Sequence, residues 1–248
     1  MSRTAQVRTA LQDVAGIGPF FVLETPGPDG AGAWVPFRRL QAAPGPLGDR
    51  IAQVRVALGS DDRVAASIAF QGLVARLVAA PLAAVVLHGV LPDPAGLSRR
   101  PDGDDPWAPG MPDVTGTWVP DPAEDPDGAS ALVAGELLDG LVAPLVEAVR
   151  ALVPVSGHVL WGNVASSLSG AGRVLDPARP ASRPALLALL AGLLARAPLA
   201  GTGRLLRLEE DRQDTEWGFR RRSCCLYYRI PGGGTCGDCV LTATRGRS

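Results

Sequence analysis

The sequence predicts an α+β fold: a helix-dominated domain with a few short strands, followed by a short C-terminal module that carries cysteines. Three observations lead there. Apolar residues recur at three- and four-residue steps in several tracts, the spacing of a helix face. Short aromatic or β-branched runs bounded by Gly and Pro lie between those tracts. All four cysteines of the 248-residue chain sit in one window near its end, after the last apolar tract. With 46% hydrophobic and 20% charged residues, the chain can bury a sizeable core, which excludes wholesale disorder.

Taken in order, Val7, Leu11 and Val14 place a helix over residues 4–16, stopped by Gly16. Phe20 to Leu23 and Trp34 to Phe37 read as a pair of strands. Leu47, Ile51, Val54 and Leu58 give a short helix. A long apolar tract begins at Asp61, and Pro81 is expected to end or kink it, making two helices. Residues 92–113 are rich in Pro, Asp and Gly and read as an exposed loop. Val114 to Val119 reads as a strand, and an acidic loop follows to Gly128. Ser130 to Val153 is helical, with Leu132, Leu137, Leu141, Leu145 and Val149 on one face. Val159 to Trp161 reads as a short strand leading into a helix near Val164 to Leu168. Pro184 opens a core helix over Ala185 to Leu194, and from Arg204 the chain turns strand-like and charged. No internal repeat is present.

Lys and Arg number 24 and Asp and Glu 25, a net charge of −1, so no chain-wide field favours nucleic acid. The most apolar stretch free of formal charge, Leu77 to Leu91, is 15 residues, short of the roughly 20 a bilayer needs, so no membrane span is expected. The N-terminus runs into an amphipathic pattern without the apolar run of a signal peptide. A cytoplasmic protein is expected, and a reducing compartment favours metal binding by the cysteines over a disulfide.

Cys224, Cys225, Cys236 and Cys239 form a Cys-Cys pair, ten residues, then Cys-Gly-Asp-Cys. Zinc sites usually use two separated Cys-x-x-Cys knuckles. An adjacent pair points its side chains apart in extended backbone, so meeting one ion requires a bend. A two-iron cluster is a longer object that adjacent sulfurs reach more easily. Spacing favours iron–sulfur and leaves zinc open.

The run from Arg221-Arg222-Ser223-Cys224-Cys225-Leu226-Tyr227-Tyr228-Arg229-Ile230-Pro231 through Gly232-Gly233-Gly234-Thr235-Cys236-Gly237-Asp238-Cys239 closely resembles the C-terminal signature of the FhuF-type ferric-siderophore reductases. The resemblance extends more weakly through Leu160-Trp161-Gly162-Asn163 and the tract around Gly72 to Leu91. It implies a [2Fe-2S] cluster on Cys224, Cys225, Cys236 and Cys239, one-electron reduction of siderophore-bound Fe(III), and hydroxamate-type ferric siderophores as substrates. The shift in composition at Arg204 divides the chain into a helical domain, residues 1–203, expected to bind the substrate, and a C-terminal [2Fe-2S]-binding module, residues 204–248. No Gly-rich dinucleotide or phosphate-binding motif is present, so electrons are expected from an external donor protein or a diffusible reductant.

Around the cysteines, Arg220, Arg221, Arg222 and Arg229, with Arg245 and Arg247 in the tail, would offset a negative cluster and favour its reduced state. Arg221, Arg222 and Arg229 are the tuning candidates. Gly232, Gly233, Gly234 and Gly237 can take positive φ and let backbone N–H groups approach the sulfurs closely. His158, Trp161 and Asn163 are candidate substrate-pocket residues, Asn163 reading equally well as a helix N-cap. His88 is expected as a satisfied core histidine and Trp217 as a packing residue. The acidic loops lack calcium-loop spacing. Rival readings are an iron–sulfur electron carrier or sensor with no substrate of its own, and a structural zinc module.

Overall fold

A computed structural model describes residues 2–25, 33–42, 45–207 and 217–243. The helices are α1 (Arg3–Ala15), α2 (Arg39–Ala42), α3 (Gly45–Leu58), α4 (Asp62–His88), α5 (Pro126–Val133), α6 (Ala143–Leu152), α7 (Gly157–Ala178) and α8 (Arg183–Ala195). The short strands are β1 (Val35–Pro36), β2 (Val90–Pro92), β3 (Ser98–Arg99), β4 (Gly116–Trp118), β5 (Gly203–Arg207) and β6 (Trp217–Arg221). They pair antiparallel as β1–β3, β2–β4 and β5–β6. The expected helix-dominated α+β architecture is the one found.

Helices α4 and α7 are the central pair, and their contact is the most extensive in the fold. Asp61 caps α4 by accepting from the Val64 N–H at 2.9 Å, and Gly89 ends it at φ 60°, the left-handed stop glycine supplies without steric cost. Pro81 does not divide this helix. It removes one hydrogen bond at a cost of about 3 kcal/mol, but the flanking Val78, Ala79, Ala80, Leu82, Ala83 and Ala84 are all buried, and that packing carries the helix through. As a result α4, and the continuous helical rod Pro126–Leu152, are long and apolar enough to cross a membrane, which Leu77 to Leu91 alone is not. In this fold 72% and 56% of their most apolar windows are buried inside the protein.

Several other expectations are corrected. Pro19–Phe21 is a 3-10 turn, not a strand. Val35–Pro36 pairs with Ser98–Arg99, inside the stretch expected to be an exposed loop; there Leu97, Ser98, Arg99 and Met111 are buried. The rod begins at Pro126, within the expected acidic loop, and is π-helical over Ala134–Val142. Val159 to Trp161 lies in the first turns of α7, capped by Ser156, whose hydroxyl accepts from the His158 N–H. His88 is not a core residue: half-exposed at the end of α4, its Nε2 lies 3.0 Å from Asp13 Oδ2.

Strand β5 begins at the expected division near residue 203, yet β6 carries Trp217 and Phe219 into the same core as the helices. Trp217 packs as expected. Its Nε1–H donates to the buried Asp176 carboxylate of α7 at 2.9 Å, and Arg183 of α8 donates to the same group at 2.8 Å. The cysteine segment therefore leaves a strand anchored to α7.

Candidate metal centre

The cysteine segment is bent where adjacency of Cys224 and Cys225 requires it. Leu226 has φ 70° and is the one non-glycine residue with positive φ among the described residues. That conformation costs about 1 kcal/mol for a residue with a Cβ, and it turns the Leu226 N–H back onto Cys224 Sγ at 3.3 Å. The pattern repeats at Cys239: the backbone N–H two residues on, that of Leu241, is aimed at the sulfur at 3.3 Å. Of the four glycines able to take positive φ, Gly232 alone does, at 71°. Gly233 is needed for space instead, since a Cβ there would lie 2.9 Å from Ile230 O.

The Cys225 and Cys236 sulfurs lie 3.5 Å apart. This is far longer than a disulfide and close to the roughly 3.8 Å that separates two thiolates on one tetrahedral ion with bonds of about 2.3 Å. Cys225 is pulled down to about 6 by the hydrogen bond it receives from Cys236, whose own thiol is pushed up by that bond. Burial raises Cys224. Among the described residues, no three His, Cys, Asp or Glu side chains gather as around a single ion. Four cysteines, one sulfur pair at shared-ion distance and backbone N–H donors on Cys224 and Cys239 form a donor set that fits an iron–sulfur cluster better than a single zinc ion.

Polar contacts from α4 and α7 hold the segment in place. Ser67 Oγ donates to the Cys225 carbonyl at 2.8 Å, and Asn163 Nδ2 donates to Ser67 O and Oγ at 2.9 and 3.0 Å. Asn163 Oδ1 accepts from Arg221. Ser223 Oγ donates to the His158 carbonyl at 3.1 Å. Asp238, buried between Cys236 and Cys239, accepts from Ser166 at 2.6 Å and pairs with Arg173 at 2.5 Å.

A cavity of about 650 Å3 opens beside this segment, between α4, α7 and the Pro19–Phe21 turn. Cys225 and Cys236 form part of its wall, with Ile17, Phe21, Ile68 and Ala75 among its apolar lining. Its charged lining residues are Arg173 and Asp238, which neutralise each other. Gly72 of α4 and Gly170 of α7 face it. A Cβ on Gly72 would meet nothing within 4 Å, and one on Gly170 only the Arg173 guanidinium at 4.0 Å. Glycine inside a helix costs about 1 kcal/mol relative to alanine, and no neighbouring side chain needs this space.

The tuning candidates separate: Arg221 is buried, whereas Arg222 is exposed and Arg229 is exposed and paired with Asp61 at 3.0 Å. Arg245 and Arg247 lie outside the described residues. Asn163 is not an N-cap; it is buried in the second turn of α7. Neither it, Trp161 nor His158 lines the cavity. His158 is exposed and contributes its backbone carbonyl, while Trp161 packs half-buried on the core. Sequence reasoning missed Ser67, Gln71, Ser166, Arg173 and Asp238. Only Asp238, inside Cys-x-x-Cys, carried a local signal.

Comparison with known families agrees with the geometry. A family described as ferric iron reductase FhuF-like transporter matches residues 66–216, more than half of the chain. The chain belongs to this FhuF-like family. The FhuF 2Fe-2S C-terminal domain matches residues 221–241, so a [2Fe-2S] cluster is its cofactor and ferric iron reduction its family activity. No curated protein matches the chain.

Proposed function

We propose that this FhuF-like protein is a cytoplasmic ferric-siderophore reductase without a membrane span, with its cluster on Cys224, Cys225, Cys236 and Cys239 and its substrate in the cavity beside them. The observation that carries the reading is that Cys225 and Cys236 belong to the cavity wall. A chelate bound there lies against two of the four cysteines. The volume is that of a small-molecule site, mostly apolar with a few polar groups.

The cluster, when bound, supplies one electron at a time. The chain's own residues do the rest. Ile17, Phe21, Ile68 and Ala75 exclude water, Gly72 and Gly170 leave room for a bulky complex, and Gln71 and Ser167 offer polar groups on the wall. The Fe(III) of the chelate accepts the electron and becomes Fe(II), which hard oxygen donors hold less well, so iron is released without acid–base chemistry from the protein. The Arg173–Asp238 pair adds no net charge to the cavity and nothing among the described residues there offsets an anion, which suits a hydroxamate complex: three hydroxamates offset Fe(III), whereas three catecholates leave a strongly anionic complex. The electron donor is an external protein or small reductant.

A carrier or sensor with no substrate would not need this cavity against its cysteines. The test is anaerobic: reduce the protein, mix it with ferric tris-hydroxamate or tris-catecholate chelates, and follow cluster re-oxidation with an Fe(II) trap present. Stoichiometric Fe(II) release, faster with the hydroxamate, is expected. Cys→Ser at any of the four cysteines should remove the visible colour and the release. A loaded protein that re-oxidises with neither chelate, or a colourless variant that still releases iron at the normal rate, overturns the proposal.

A further inference from the structure

Arg221 ends β6 with 1% of its surface exposed, and every acceptor of its guanidinium is neutral. Nε donates to the Ser223 carbonyl at 3.1 Å. Nη2 donates to Asn163 Oδ1 and, at 3.4 Å, to the Val159 carbonyl; Nη1 reaches Gln71 Oε1 at 3.5 Å. Among the described residues no carboxylate pairs with it. Asp238, whose backbone carbonyl accepts from the Arg221 N–H, has its carboxylate committed to Arg173 and Ser166. A cation taken out of water without an anion costs several kcal/mol, and neutral carbonyls return only part of that. The groups that can supply negative charge are the cysteines. Arg221 stands three positions before Cys224, and its Nε is bonded to the carbonyl of Ser223, the residue that precedes Cys224.

We propose that Arg221 is a counter-charge built into the fold for the anionic iron–sulfur group, where it strengthens retention of that group and favours its reduced state. The inference rests on the reading that the four cysteines carry the cluster. An iron–sulfur group on four thiolates is net negative and gains one further negative charge on reduction, so a fixed buried cation stabilises the reduced form more. Asn163 acts here as a positioning residue: its carbonyl oxygen holds the guanidinium while its amide is fixed by Ser67. Arg222 and Arg229 face water, where screening weakens any such effect.

The test uses the full chain as wild type, Arg221→Met, Arg221→Lys and Arg222→Gln, each measured for cluster midpoint potential and for melting temperature with and without iron. Arg221→Met should make the cluster at least tenfold harder to reduce, a fall of about 59 mV or more for a one-electron couple. Arg221→Lys should keep most of the wild-type potential, and Arg222→Gln should move it far less than Arg221→Met. The gap in melting temperature between loaded and iron-free protein should narrow in Arg221→Met, because its iron-free form no longer buries a lone charge. An unmoved potential in loaded Arg221→Met overturns the inference, as do equal shifts at 221 and 222. If Arg221→Met takes up no iron, Arg221→Lys decides: it must load with a near-wild-type potential, and failure to do so assigns the guanidinium a structural role. A wild type that binds no cluster fails the underlying reading; a loaded wild type with an insensitive Arg221 fails only the counter-charge.

Discussion

Gly162 of α7 and Ser223 of the cysteine segment meet so closely that a Cβ on Gly162 would fall 2.2 Å from the Ser223 hydroxyl oxygen, and 3.1 Å from Arg221 Nη2. The glycine lets the segment lie directly on the helix that holds Asn163. Gly162→Ala should therefore lose more from crowding, about 1–3 kcal/mol, than it gains in helix propensity, about 1 kcal/mol. The Ser223–His158 hydrogen bond, worth about 1 kcal/mol, has to shift as well. Thermal melts should show a net loss of about 1–2 kcal/mol with far-UV helicity retained, and iron per chain after reconstitution should fall. Normal stability and normal iron content would mean that the segment does not depend on this contact.

Gly72 gives the opposite result. A Cβ there enters open space, so Gly72→Ala should stabilise α4 by about 0.5–1 kcal/mol. Gly72→Leu places a larger side chain into the cavity and should raise KM for a ferric chelate at least tenfold. The potential and iron content should stay at wild-type values, because position 72 contacts no cysteine. Steady-state kinetics beside a redox titration separate the two effects. An unchanged KM in Gly72→Leu would exclude this cavity as the chelate site.

The cysteine window was legible because spacing is local, and α1, α3 and α8 because their apolar steps are too. What was not legible depends on distant partners. Asn163 before an apolar run reads as a cap, yet in the fold it bonds Ser67, 96 positions away, and Arg221, 58 positions away; no periodicity reports such a pair. Pro81 reads as a break because its local cost is visible in sequence and the packing that offsets it is not. Val159 to Trp161 are strand-prone residues that tertiary burial places in a helix. The 92–113 stretch looks solvated by composition, but its backbone pairs with a strand more than sixty residues earlier. The cavity combines the Pro19–Phe21 turn, α4, α7 and the cysteine segment, so it exists only after folding.

Asp176 is fully buried on α7 and accepts from Trp217 Nε1 and Arg183 Nε, which ties β6 and α8 to the same point. Removing a buried carboxylate strands both donors, at a cost of about 3 kcal/mol. Asp176→Ala should lower the urea midpoint accordingly, and Asp176→Asn by less, since the amide oxygen still accepts one bond. Loss of iron should follow the loss of stability rather than precede it, because Asp176 does not touch the cysteines. A variant that loses iron while its urea midpoint stays put would contradict that order.

Asp13 joins α1 to the ends of α4 and α7: His88 Nε2 lies 3.0 Å from Oδ2, and Arg179 Nη2 donates to Oδ1 at 3.1 Å. The contact with His88, followed by that with Arg179, holds the Asp13 carboxyl below its ordinary value. A carboxyl with a lowered folded-state pKa binds fewer protons folded than unfolded, so it adds stability above the unfolded value, about 3.9. That contribution is lost as pH falls through the lower folded value. The side chain is 41% exposed, so solvent screening keeps the effect to about 0.5 kcal/mol. Asp13→Asn should melt slightly below wild type at pH 7, and the two curves should converge by about pH 2, where both side chains are neutral. Added salt near 1 M should shrink the pH 7 difference, since the Debye length there is about 3 Å. A difference that persists unchanged at pH 2 would mean that Asp13 acts through packing rather than charge.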